Sequence, residues 1–178
     1  MLSEIRDRGL ASVAARKNQR AALLAAAKSA FGCGLPTRPR RAFGRDGLSF
    51  VWAGPDQWVA MLDHGPVGGI EPRLAASLKG LASVVDQSDG RAVVRIGGAR
   101  ARAALAKGMP IDLHERAFTP GDAALTFFSH INVHIWQVDE TPTYEIAVPR
   151  SFVGSFWHWL TEASAEFGYE ATGSNSSA

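Results

Sequence analysis

Apolar residues recur at two spacings along this chain, and the spacing separates expected strands from expected helices. Leu48, Phe50 and Trp52 occupy alternate positions before a Gly54-Pro55-Asp56 turn. Trp58-Val59-Ala60-Met61-Leu62 then resumes an extended run, so a hairpin is expected. Residues 10–15 read as a short strand. Residues 83–88 and 91–96 read as two more, their β-branched side chains suiting a pleated surface and Asp89-Gly90 joining them as a turn. Later, residues 124–128, 133–138 and 144–148 read as three successive strands, the last two connected by Asp139-Glu140-Thr141-Pro142.

The three-to-four spacing marks the helices. Residues 18–31 are rich in alanine and leucine, with Leu23, Leu24, Ala27 and Phe31 near one face and Gly32 and Gly34 at the end. Pro72 falls in the first turn of a helix over residues 71–78, where its missing N–H costs nothing, and Leu74, Leu78 and Leu81 supply the stripe. Residues 65–69 form the loop before it. Gly97-Gly98 leads from a strand into a short helix over residues 99–107, closed by Gly108 and Pro110. Its strand, glycine turn and apolar element loosely repeat residues 50–61, as an internal duplication would. The closing helix, residues 151–167, follows a strand ending at Pro149 and places Phe152, Phe156, Trp159, Leu160, Ala163 and Phe167 on one arc.

Strands and helices in this order give an α+β class with antiparallel or mixed sheets and packed helices. With 178 residues, 46% hydrophobic and 20% charged, residues 1–170 are expected to form one soluble domain, and the serine-rich residues 171–178 a disordered tail. A formal charge of +2, spread among acidic residues, points away from nucleic acid. The single cysteine, Cys33, rules out an internal disulfide and a multi-cysteine metal site, which suits a reducing cytoplasm. The charged first residues lack the apolar centre of an export signal, and no apolar run is long enough to span a bilayer, so a cytoplasmic chain without membrane contact is expected.

Candidate chemistry is sparse. His130 and His134 are four apart and would share a face if one strand held both, but no cysteine or acidic cluster accompanies them. Asp112 and His114 read as a hydrogen-bonded turn, and His158 with Glu162 as a solvent-facing pair. Gly97-Gly98-Ala99-Arg100 matches neither a dinucleotide nor a P-loop spacing, and no serine or cysteine sits in a nucleophile motif. No catalytic, cofactor or metal residue is assigned. Large side chains beyond the needs of one core are interface candidates instead: Trp157 at the margin of the last helix's arc, Trp52 and Trp58 in the hairpin, and Arg38, Arg40 and Arg41 in the Pro- and Gly-rich residues 36–47, a stretch that reads either as a solvated connection or as a patch for an acidic partner.

Several segments, in order, resemble the gamma subunit of bacterial heterotetrameric sarcosine oxidase. They are Gly54-Pro55-Asp56-Gln57-Trp58, Asp86-Gln87-Ser88-Asp89-Gly90-Arg91, Leu105-Ala106-Lys107-Gly108, Ile111-Asp112-Leu113-His114, and Val148-Pro149-Arg150-Ser151-Phe152 followed by Trp157-His158-Trp159-Leu160. The resemblance spans residues 10–168 and implies a non-catalytic accessory chain of a complex that oxidatively demethylates sarcosine to glycine, giving hydrogen peroxide and, with tetrahydrofolate, methylene-tetrahydrofolate. It implies alpha, beta and delta subunits as partners, and FAD, FMN, NAD and tetrahydrofolate carried by those chains. It also implies ferredoxin-like α+β units similar to the folate-binding aminomethyltransferase, the glycine-cleavage T-protein. The alternative is a stand-alone folate-type binding domain, with Asp86 or Asp112 as the acid facing a pterin ring.

Overall fold

The structure, a computed structural model, describes residues 1–64 and 69–172. Residues 65–68 of the expected loop and 173–178 of the expected tail lie outside that description. The sequence reading places residues 1–170 in one domain. Contacts sort the chain into two compact units, Asp7–Asp89 and Met1–Arg6 with Gly90–Ala178.

The first strand, β1 (Leu2–Ile5), belongs to the second unit. The first unit then runs β2 (Arg8–Ala15), α1 (Arg20–Phe31), β3 (Arg41–Phe43), β4 (Leu48–Gly54), β5 (Gln57–Asp63), α2 (Ile70–Leu78) and β6 (Ala82–Asp86). Its sheet has the order β3-β4-β5-β2-β6 with every pair antiparallel. Without β3 this is the split β-α-β-β-α-β plan of ferredoxin-like units. Leu23, Ala27 and Phe31 of α1 and Leu74 and Leu78 of α2 bury the helical stripes, each at helical spacing. Leu24 is half-buried, and Ile70 replaces Leu81 in the stripe because α2 starts one residue early and Leu81 lies beyond its end. Helix α1 closes at Gly32 with φ +73, its N–H bonding to the Lys28 carbonyl; a Cβ there would also strike the Arg45 side chain.

The second unit runs β7 (Arg91–Gly97), α3 (Ala101–Ala106), β8 (Ala123–Phe128), β9 (Ile131–Asp139), β10 (Thr143–Pro149), α4 (Val153–Ser164) and β11 (Ala171–Thr172). Its sheet order is β11-β1-β7-β10-β9-β8. The central four strands, with β8 as the extra edge, repeat the plan of the first unit, but the internal similarity read from residues 50–61 and 91–107 does not follow it, because the first is the β4–β5 hairpin and the second is β7 followed by α3. The difference is at the other edge, where β1 takes the place beside β7 that β6 takes beside β2. Ala171 and Thr172, expected in the tail, pair in parallel with β1. Residues 83–88 and 91–96 do form strands, but β6 and β7 sit in different sheets, so Asp89-Gly90 is the passage between units and closes no hairpin. The single turn is compatible with both outcomes; the pairing partners, β2 and β10, are remote in sequence.

The core of the second unit gathers Leu105, Phe128, Ile135, Ile146, Phe156 and Leu160 with their neighbours. Gly108 passes so close to β8 that an added Cβ would lie 2.9 Å from the Phe128 ring. Helix α4 is phased differently from its sequence reading. Val153, Phe156, Trp157, Leu160, Ala163 and Phe167 face the core, whereas Phe152 is 51% and Trp159 44% exposed. At 100° per residue, Trp159 lies about 100° from the centre of the buried arc and Trp157 about 60°. Phe152 precedes the first α-helical turn.

Phe156, fully buried and edge-on to Phe128 with ring centres 5.2 Å apart, should cost about 3–5 kcal/mol when replaced by alanine. Phe152→Ala should change stability by about 0.5 kcal/mol or less. Chemical denaturation of the two variants against the parent chain measures the difference.

Candidate interaction surface

The six residues picked out as interface candidates fall into two groups. Trp58 sits on β5 with 2% exposure, and its indole N–H donates to the Pro36 carbonyl at 2.7 Å. Arg41, on β3, is 9% exposed: its guanidinium donates to Ser49 Oγ at 3.0 Å, lies 3.7 Å from the Asp63 carboxylate and stacks 4.5 Å above the Phe43 ring. Arg8 reaches the same carboxylate at 2.7 Å, so Asp63 joins the chain ends of β2 and β3 through β5. These partners inside the first unit account for both side chains and leave little of either for another molecule. The expectation that residues 36–47 form a loop is corrected at residues 41–43, because pairing of β3 with β4 orders them and turns Arg41 inward.

Arg38 is exposed and Arg40 half-buried, with the Arg40 carbonyl accepting from the Trp52 N–H at 3.0 Å. Trp52 is half-buried opposite Trp58 on the hairpin. Trp157, also half-buried, packs against the second unit's core and lines a groove of about 360 Å³ with Glu4, Arg6, Val94, Val153, Gly154 and Thr172. Glu4 takes an ion pair from Arg6 at 2.9 Å and a longer one from Arg150 at 3.5 Å, so the groove has one charged wall and one aromatic wall.

The residues weighed for chemistry are employed locally. His130 lies in the β8–β9 turn, its Nδ1 3.0 Å from Ser129 Oγ and its ring edge-on to Trp159. His134 is fully buried on β9 against Trp136. Because the turn intervenes, the two histidines do not share one strand. Asp112 accepts the backbone N–H of His114 at 2.8 Å, and His114 Nδ1 accepts that of Arg116 at 3.2 Å, so the carboxylate and the imidazole each serve the backbone. Asp86 accepts the Ser88 N–H at 2.7 Å in the same way. His158 is exposed, and its carbonyl accepts from Thr161 Oγ1. No group of three or more His, Cys, Asp or Glu suited to a metal ion occurs among the described residues.

A buried polar cluster escaped the sequence reading. Glu145, 1% exposed on β10, accepts from Arg95 of β7, whose Nε is at 3.2 Å, and from the Trp136 indole of β9 at 2.8 Å. Glu145 is opposite both partners in the sheet register. The signal was present as two opposite charges in otherwise apolar strands, Val94-Arg95-Ile96 and Tyr144-Glu145-Ile146, each at the alternate position. Such a pair ties three strands together and leaves its carboxylate occupied.

The Sarcosine oxidase, gamma subunit family model matches residues 16–166. This chain belongs to the sarcosine oxidase gamma subunit family. It is 36% identical over 146 residues to the sarcosine oxidase subunit gamma of Arthrobacter sp., covering 80% of this chain and 70% of that one. It is 35% identical over 149 residues to the subunit gamma of Corynebacterium sp. (strain P-1), covering 82% and 71%. A chain of the heterotetrameric sarcosine oxidase from Corynebacterium sp. U-96, in complex with pyrrole 2-carboxylate, superposes with a TM-score of 0.84 at 28% identity, over 97% of this chain and 87% of that one. The aminomethyltransferase T of the glycine cleavage system from Bartonella henselae shares the fold, with a TM-score of 0.70 at 15% identity over 97% of this chain and 46% of that one. Two sheets and four α-helices among the described residues make the gamma-family chain α+β, as its element order implied.

Cys33 is buried, and loss of solvation pushes its thiol above the ordinary cysteine range. The neutral thiol is therefore the favoured folded form, and that contribution to stability is present below the unfolded thiol pKa and lost as pH rises through the folded one. In the native gamma-family chain at neutral pH, Cys33 should react with an aromatic disulfide reagent at least tenfold more slowly than in denaturant, by the absorbance of the released thiolate. Native reaction at the denatured rate would place the thiol in solvent.

Proposed function

We propose that this chain is the accessory subunit of a heterotetrameric sarcosine oxidase and contributes docking surface, while the reacting groups belong to its partners. The observation that carries this reading is the superposition on a chain of such an oxidase over 97% of this chain, joined to membership of the gamma subunit family. In this reading the partners are alpha, beta and delta subunits in the cytoplasm, and FAD, FMN, NAD and tetrahydrofolate are bound by those chains. The local employment of His114, His130, Asp86 and Asp112 supports a structural role for groups that a catalyst would aim into a cleft.

An accessory chain stabilises a complex through side chains that stay partly uncovered until partners bury them, and aromatic and arginine side chains do so with large area per residue. Trp157, Trp52, Arg38 and Arg40 retain that exposure and are the proposed contacts, whereas Trp58 and Arg41 act within the chain.

Co-expression of the tagged chain with the alpha, beta and delta chains tests the proposal. The expected eluate is yellow, contains the larger chains and one smaller chain, and turns over sarcosine, whereas the isolated chain produces no hydrogen peroxide from it. A colourless single chain that binds tetrahydrofolate would replace the proposal with the binding-domain reading. Trp157→Ala should weaken assembly by about 2 kcal/mol, roughly thirtyfold, and destabilise the isolated chain by less. Equal losses would assign Trp157 to the core alone.

A further inference from the structure

On the second unit's sheet, alternate positions of each strand face opposite sides. Val94, Ile135, Ile146 and Phe128 point into the core that α3 and α4 cover. Arg91 of β7, Pro149 of β10, Asn132 of β9 and Phe127 of β8 take the opposite parity, and all four line one groove of about 430 Å³, which Pro110 and the core-parity Thr126 and Val133 also border. The register makes them a row, with Arg91 opposite Pro149 and Phe127 opposite Asn132. At the β8 end of the groove, Leu125 and Phe127 stand side by side on an edge strand, 52% and 50% exposed. At the β7 end stands Arg91.

Arg91 differs from the other arginine of its strand. Arg95 is matched by Glu145, whereas the Arg91 side chain has no acidic partner among the described residues although it is only half-exposed. Its carbonyl accepts from the Arg150 guanidinium. Loss of solvation lowers its pKa from the ordinary arginine value, which agrees with a cation held against apolar surface. A desolvated guanidinium without a carboxylate costs free energy that an incoming acid recovers, and the two exposed apolar side chains add area at the other end.

We propose that this groove docks an extended segment of a partner chain, one that sets an apolar side chain on Leu125 and Phe127 and a carboxylate on Arg91. Three strand spacings separate β7 from β8, about 14 Å, so the two anchors are about four extended residues apart. The segment lies across the face of the sheet, because a strand added to the β8 edge would run out of reach of Arg91. This inference rests on the accessory-subunit reading and names where part of the assembly forms.

The test uses the full chain with its co-expressed partner subunits, comparing wild type, Arg91→Glu, Arg91→Lys and Phe127→Asp by the salt-dependent affinity of complex formation. Arg91→Glu and Phe127→Asp should each weaken assembly at least tenfold, Arg91→Lys should retain most of it, and circular dichroism of the isolated variants should match wild type. Wild-type assembly that both disruptive variants preserve overturns the groove and leaves the accessory reading standing. Failure of the wild-type chain to assemble overturns both. Self-association of the isolated chain in sedimentation, abolished by Arg91→Glu while assembly is unchanged, overturns the partner-chain occupant in favour of a second copy. If a disruptive variant loses its circular dichroism signature, a photo-crosslinker at position 127 in the otherwise wild-type chain decides, with capture of a larger subunit expected and its absence overturning the groove.

Discussion

Antiparallel pairing of β1 with β7 is the constraint on which the organisation of this chain depends. Leu2 to Ile5 meet Ile96 to Val93 in register, and the Gly97 N–H closes on the Met1 carbonyl, so the first residues of the chain belong to a sheet made from its second half. Closing a flexible loop of that length would cost roughly 4 kcal/mol or more in chain entropy. The first unit reduces this cost by its own topology. Its terminal strands β2 and β6 are antiparallel neighbours, Ala11 faces Asp86, and the Gln87 N–H bonds to the Leu10 carbonyl. Once that unit is folded, its entry and exit lie together, and the strands on either side of it are delivered to one place. Residues 7–89 behave as an insertion between two strands of one sheet.

This arrangement also explains why the same plan appears twice with one difference. In the first unit the last strand follows α2 directly and pairs with β2; in the second the corresponding position is already held by β1, so the chain after α4 must settle outside it as β11. A two-residue strand is enough there because Leu2 is already covered and the edge has only to be capped. The extra edge strands β3 and β8 occupy equivalent places in the two sheets. Arg41 on β3 is drawn inward by Asp63 and Ser49, whereas Leu125 and Phe127 on β8 stay exposed. Phe43 on β3 is itself 65% exposed, so both edge strands keep apolar surface uncovered.

What was legible in the sequence follows from the range of the physics involved. The β4–β5 hairpin, the three strands before α4, and helices α1 and α2 depend on alternation, helical spacing and turn residues within a dozen positions, and they were readable. β1 was missed because Leu2-Ser3-Glu4-Ile5 has only two apolar residues and its partner is remote. The supposed hairpin across Asp89-Gly90 failed because the turn signal is local, while sheet membership is decided by β2 and β10. On α4 the aromatic residues surround most of the helix, so spacing alone admits two phases, and packing against Phe128 chose the one that buries Trp157 more than Trp159. The family resemblance rested on short ordered segments, several of which are turns with defined geometry, such as Asp86-Gln87-Ser88 and Ile111-Asp112-Leu113-His114. Those segments identify the fold because they shape backbone, which is also why they carry little information about partners.

The placing of charge separates internal structure from surface available to others. Glu145 has donors from two strands, Asp63 has two arginines, and Asp86 and Asp112 are committed to the backbone of their own turns. Each of these carboxylates is engaged by donors of its own unit. The side chains left partly uncovered are of another kind: Trp157 beside the Glu4–Arg6 pair, Trp52, and the apolar pair on β8. Aromatic and aliphatic surface of that sort gains free energy from being covered. Within each unit the buried polar groups tie neighbouring strands of one sheet: Glu145 joins β7, β9 and β10, and Asp63 joins β2, β3 and β5.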